Sequence, residues 1–246
     1  MGLLIGAVLA AFVGAVVSAI AGLGGGTMLI AVLVVLGLSP QQAVPLHAVV
    51  QAVSNGTRVV AYRQHVRWRT LVPFMAGALP SPFLVGGLVR LASPDVLRLV
   101  LGTFVLLVTW TPIRRWLSVD RGPWAMPVAG VLAGAVGMFV GATGTIIGPF
   151  FLRRGWRKET VIGTEALCQG AAHVVKVAAA ATWGLAPAAH LALAVPMMGA
   201  VVAGTFCGRA VLRRLDEQQF RRLFRGMLTG LAVWLLVRGA MGLGAA

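Results

Sequence analysis

The sequence predicts an all-α integral membrane protein made of two inverted five-segment repeats, with about eight full spans plus two short or re-entrant helices. Three observations predict it. Of 246 residues, 59% are hydrophobic and 11% are charged, where a soluble domain carries about 25% charged residues. The apolar segments are long and uninterrupted rather than alternating, which points to helices and away from a barrel. A polar pattern in the first half also recurs in the second at a fixed offset.

The first apolar run, 2–37, is too long for one span and is interrupted by Gly22-Leu23-Gly24-Gly25-Gly26. It reads as a helix, a glycine break and a shorter helix, and as a permanent span rather than a cleaved leader, because no basic residues precede it. The loop Ser39-Pro40-Gln41-Gln42 leads to a third segment, 41–63, and Pro40 suits the first turn of that helix. The fourth segment, 70–90, contains Pro73, Pro80 and Pro82, so a kink is expected. The fifth covers 96–113. The order then repeats: 124–142, a break at Gly141-Ala142-Thr143-Gly144-Thr145, a very short piece at 145–152, a third segment at 160–183, a fourth at 188–208 and a fifth at 226–243. Residues 1–120 form the first repeat and 121–246 the second, together one transmembrane domain.

The net charge of +15 does not indicate nucleic acid, because the basic residues lie in short loops between apolar segments. With each first and second segment folding back to one side, four loops share that side. They hold Arg63, Arg67 and Arg69; Arg114, Arg115 and Arg121; Arg153, Arg154, Arg157 and Lys158; and the six arginines from Arg209 to Arg225. The opposite loops hold only Arg90 and Arg98. The positive-inside rule then places the basic loops in the cytoplasm of a multi-pass cell-membrane protein, with both termini outside. A parallel four-plus-four arrangement, with the first two segments of each half fused, is the alternative. The two cysteines, Cys168 and Cys207, fall inside apolar segments and form no CxxC motif, so they read as small buried apolar residues.

The third segment of each half carries the polar pattern. The first reads His47, Gln51, Asn55 and Arg58; the second reads Glu165, Gln169, His173 and Lys176. Each member is offset from its counterpart by 118 residues (165 − 47 for the first pair). On a helix the four positions fall within an arc of roughly 80° and run for about 16 Å. A polar stripe in hydrocarbon is costly and faces a cavity or another helix. The two stripes are expected to face each other and line a path. Interhelical hydrogen bonding that merely holds the bundle is the plainer reading.

Within the stripes, Gln51 and Gln169 can donate and accept. Glu165 is the only acidic residue inside an apolar segment. A lone carboxylate there takes up a proton or pairs with a cation such as Lys176 or a histidine. It is the leading candidate for proton coupling, with His47 and His173 beside it because histidine titrates near neutral pH. Arg58 and Lys176 close the stripes and can attract an anion at either mouth, although Arg58 can also snorkel to the interface.

The glycine breaks supply the other candidate. Gly24, Gly25 and Gly26 permit a turn that side chains would block. A helix restarting there presents free N–H groups and the positive end of its dipole to an anion. Gly144 and Thr145 would be the second copy. Close helix packing is the competing explanation.

The glycine break after the first span, its near-copy in the second half and a polar third helix per half resemble the TauE/SafE family of sulfite and organosulfur-anion exporters, over essentially the whole chain. The family's Gly-x-Gly-Gly-Gly motif stands here as Gly22-Leu23-Gly24-Gly25-Gly26, with Ala142-Thr143-Gly144-Thr145-Ile146 as a degraded second copy. Where the family often has Ala-Thr-Ser near the start of the third helix, this chain has Pro45-Leu46-His47 and Gly163-Thr164-Glu165. The resemblance implies export of small anions across a prokaryotic cytoplasmic membrane, and the retained Thr164 joins the candidate binding residues.

The expected function is thus a secondary transporter of a small anion such as sulfite, a sulfonate or a related organic acid, with proton coupling. The alternative is a cation or metal transporter using His47, His173 and Glu165, although metal sites want more converging ligands than these. The absence of HExxH, GxSxG and paired-carboxylate motifs argues against an enzyme. The expected partners are the anion and the bilayer, with no nucleic acid, no cofactor and no resident metal. Homo-oligomerisation is left open.

Overall fold

The computed structural model describes residues 1–21, 24–111, 122–153, 155–185, 191–211 and 217–244. Gly22 and Leu23 of the glycine break lie outside the described residues. So do the basic-loop residues Arg114, Arg115, Arg121, Arg154, Arg213 and Arg214. The described residues form helices and no strands.

In the first half, α1 (Gly2–Ala21) and α2 (Gly25–Val35) are separated by the glycine break, with Gly24 in the left-handed region at φ 103°. The two helices double back on each other. A Cβ on Gly25 would lie 1.8 Å from the Gly14 carbonyl oxygen, and one on Gly6 would lie 3.0 Å from Leu36. This hairpin disfavours the fused span of the parallel alternative. Next, α3 (Pro40–Ala61) starts at the expected proline, and the Ser39 N–H donates to Gln42 Oε1 at 3.1 Å. Its polar residues lower its hydropathy, but its 22 residues suffice to cross, since about 20 are needed. The expected kink in the fourth segment is real. It divides into α4 (Leu71–Ala78) and α5 (Ser81–Leu91) at Leu79-Pro80, with a bend of 41° around that break. The half ends with α6 (Pro94–Trp110).

In the second half, α7 (Ala125–Val131) passes through a π turn at Leu132–Val136 into α8 (Gly137–Val140). The second break follows, with Gly141 at φ 73°. Only one α-helical turn, α9 (Gly144–Ile147), and a 3₁₀ turn at Gly148–Phe151 stand where the first half has α2. The half is completed by α10 (Lys158–Thr182), α11 (Leu191–Val211) and α12 (Glu217–Gly244). The last helix begins nine residues before the expected 226, so part of the predicted basic loop is helical. By length and composition, three stretches could cross a membrane: Gly2–Ala19, Gly122–Val140 and Phe224–Gly244. The bent pair Trp68–Ala78 and Pro80–Leu91 makes a fourth if it counts as one span.

Glycine contacts give the direction of each helix pair. Gly163 of α10 meets Tyr62, and Gly170 meets Asn55, so α3 and α10 run antiparallel. Gly102 of α6 meets Ala232 and Leu236, while Gly239 of α12 meets Asp95 and Leu99, so this pair is antiparallel too. By contrast, Gly204 and Gly208 of α11 meet Phe12 and Val16 of α1 in parallel order. Gly130 and Gly134, in the α7 stretch, likewise meet Phe74 of α4 and Ser81 of α5 in parallel order. Corresponding third and fifth segments therefore oppose each other, and each half's first segment packs along the other's fourth. These are the pairings expected when two halves enter from opposite faces.

Candidate functional site

Because α3 and α10 cross antiparallel, their polar stripes face each other in reverse order. The His47 and His173 rings meet edge to face, with centroids 5.6 Å apart and planes at 68°. At the other end, Arg58 of α3 and Glu165 of α10 line the same cavity. Gln51 and Gln169 lie between these two levels. All eight stripe residues are at most 8% exposed.

Local hydrogen bonds hold the stripe in shape. Arg58 Nη2 donates to Asn55 Oδ1, and Asn55 Nδ2 donates to the Gln51 carbonyl at 2.8 Å. Gln169 Nε2 donates to Glu165 Oε1 at 3.2 Å. His47 Nε2 lies 3.0 Å from the Gly26 carbonyl oxygen. A carbonyl only accepts, so Nε2 carries the proton. This bond ties α3 to the start of α2. The contact is close because Gly26 has no side chain: a Cβ there would lie 2.5 Å from Gln51 Nε2.

A cavity of about 30 Å³ lies at this meeting point, room for a water or two. Its wall includes Gly24 and Gly26 from the first break, Gly144 from the second, and His47, Gln51, Asn55, Arg58, Glu165, Gln169 and His173 from the stripes. Both breaks and both stripes thus converge on one small cavity.

Four residues expected at the site stand outside the cavity wall. Gly25 is packed against Gly14, where only hydrogen fits. The Thr164 hydroxyl accepts the Arg67 N–H at 3.0 Å and anchors the loop after α3. The Thr145 hydroxyl is buried without a hydrogen-bond partner. Lys176 Nζ donates to the Gly141 carbonyl at 2.7 Å. At the second break α9 has only four residues, fewer aligned peptide units than α2 offers, and of the expected pair Gly144 lines the cavity while Thr145 does not.

The wall also contains Ser18, Thr27, Ala142 and Thr143, which sequence reasoning missed. A signal for Thr27 was present, because it stands 118 residues before Thr145. Arg58 Nε and the Nδ1 atoms of His47 and His173 are buried without partners. Among the described residues, no three His, Cys, Asp or Glu side chains converge as a metal site would require. Glu165 lies at the arginine end of the column, away from the histidine pair.

The arrangement offers an anion Arg58, the start of α2 and the stripe amides around one cavity. No curated protein and no solved structure matches the chain. The family model described as "Sulfite exporter TauE/SafE" matches residues 7–235. With that match over nearly its whole length, and with the glycine breaks and polar helices in place, the chain belongs to the TauE/SafE family of membrane transport proteins.

Proposed function

We propose that this chain is a proton-coupled secondary carrier of a small anion such as sulfite, a sulfonate or a related organic acid. It works in the cytoplasmic membrane with its basic loops inside. The observation that carries the reading is the meeting of both stripes and both breaks at one buried cavity. Residues 1–120 and 121–246 act as inverted repeats, and the substrate passes between them as one half rocks against the other.

Each group has a role in this scheme. The N-terminus of α2 and Arg58 stabilise the negative charge. Gln51, Asn55 and Gln169 supply hydrogen bonds that orient the anion. Glu165, faced by Arg58 from α3 and by Gln169 on its own helix, exchanges the proton. The His47–His173 pair gives a further relay position.

The test is sulfite flux in proteoliposomes over a range of pH. Wild-type flux should vary with pH, and Glu165→Gln should flatten that dependence. A variant whose pH profile matched the wild type would remove Glu165 from the coupling role.

A further inference from the structure

We infer that Ser18, Thr27 and Thr143 are specificity-determining residues of the cavity, whose hydroxyls hold the three oxygens of a sulfite or sulfonate head. This rests on the anion-carrier reading above. It adds which side chains tell an anion with three oxygens from one with two. The three residues come from separate parts of the chain: the last turn of α1, the first turn of α2 and the residue before α9. They are 6%, 2% and 1% exposed, yet all three line the one cavity.

Their surroundings leave these hydroxyls to a ligand. Among the described residues, none of the three side chains bonds to another protein group. Nor is any of them sealed away from the cavity without a partner, as Thr145 Oγ1 is. Ser18 Oγ stands over the start of α2, 2.4 Å from where a Cβ on Gly25 would lie. The Thr143 methyl is turned to Gly137, 3.6 Å from where a Cβ there would lie, which leaves its hydroxyl to point elsewhere.

A hydroxyl can donate or accept, and the wall decides between the two. Four acceptors there already receive an N–H: the Gly26 carbonyl from His47, the Gln51 carbonyl from Asn55, Asn55 Oδ1 from Arg58 and Glu165 Oε1 from Gln169. The hydroxyls are therefore donors in want of an acceptor. A sulfite or sulfonate head offers three oxygens in three directions. A carboxylate offers two in one plane and leaves the third hydroxyl facing no oxygen, after its water has been displaced. This distinction lies in shape and hydrogen bonding, so it holds whichever buried side chains are ionised.

The test uses methanesulfonate and acetate, both monoanions at pH 7, titrated calorimetrically into the purified protein in detergent. The wild type should bind methanesulfonate roughly tenfold or more tighter than acetate, the effect of one further hydrogen bond to a charged group. Thr27→Val and Thr143→Val keep the side-chain shape and lose the hydroxyl. Each should bring the two affinities to within a few-fold of one another, mainly by weakening methanesulfonate. Thr27→Ser and Thr143→Ser keep the hydroxyl and should keep the wild-type ratio. Valine variants with the wild-type ratio overturn the assignment, and so do serine variants that lose it as the valine variants do. A wild type that binds both anions equally, or prefers acetate, overturns it without any variant having to fold, and leaves the carrier reading standing. A wild type that binds neither anion also overturns it, and the carrier reading falls with it only if sulfite flux in proteoliposomes is absent as well.

Discussion

At the scale of single residues, register was legible and partners were not. The matched spacing of His47, Gln51, Asn55 and Arg58 with Glu165, Gln169, His173 and Lys176 is local, and a helix turns such spacing into a face. What each side chain touches is set by chain segments far away in sequence. Lys176 finds a carbonyl 35 residues earlier, and Thr164 serves an N–H 97 residues away. No spacing rule reveals either contact. Gly26 illustrates how little room the site has. In Gly26→Ala the new methyl would lie 2.5 Å from Gln51 Nε2, the end of a flexible side chain that can swing aside. The fold should survive and the amide should leave the anion's position. A hydrogen bond to a charged group contributes about 1.5–3 kcal/mol, so flux should fall by an order of magnitude or more while the melting temperature in detergent stays close to the wild type. Flux at the wild-type level would show that Gln51 does not contact the substrate.

At the scale of elements, the two halves differ more than their sequences suggest. Both breaks were readable, because glycine runs interrupt long apolar segments. The shortness of the second half's second segment was readable as well. The π turn at Leu132–Val136 was not, because Leu, Ala, Gly and Val read as ordinary helix and the change lies only in which carbonyl each N–H reaches. The proline break at Leu79-Pro80 was foreseen from the missing donor and the ring clash. The hairpin of α1 and α2 depends on a backbone contact that only glycine allows. In Gly25→Ala the methyl would sit 1.8 Å from the Gly14 oxygen, and backbone has no side chain to swing away. Forcing the helices apart should cost about 1–3 kcal/mol, read as a lower melting temperature of the purified protein. A melting temperature equal to that of Gly26→Ala would mean that the hairpin is not tightly closed at this point.

At the scale of the molecule, the direction of each helix pair carries the most information. Composition and charge distribution predicted the class and ranked the inverted arrangement over the parallel one. The antiparallel crossing of α3 with α10 and of α6 with α12 adds independent support. The two arrangements differ in which loops share a side. With inverted halves, Gln64 after α3 and Arg153 before α10, both exposed, lie on the cytoplasmic face, and Ser93 before α6 lies outside. In a background lacking Cys168 and Cys207, single cysteines at Gln64 and Arg153 should resist a membrane-impermeant maleimide added to intact cells, while one at Ser93 should react. Reaction of Gln64→Cys but not Arg153→Cys would favour the parallel arrangement.

The central claim is that the two stripes act as one site. Its most direct test is sulfite flux in proteoliposomes carrying Gln51→Leu, Gln169→Leu or both, because each amide comes from a different half and both line the same cavity. The account predicts that either single substitution cuts flux sharply and that the double loses little more, since both act on one bound anion. Wild-type flux in the double variant would contradict it.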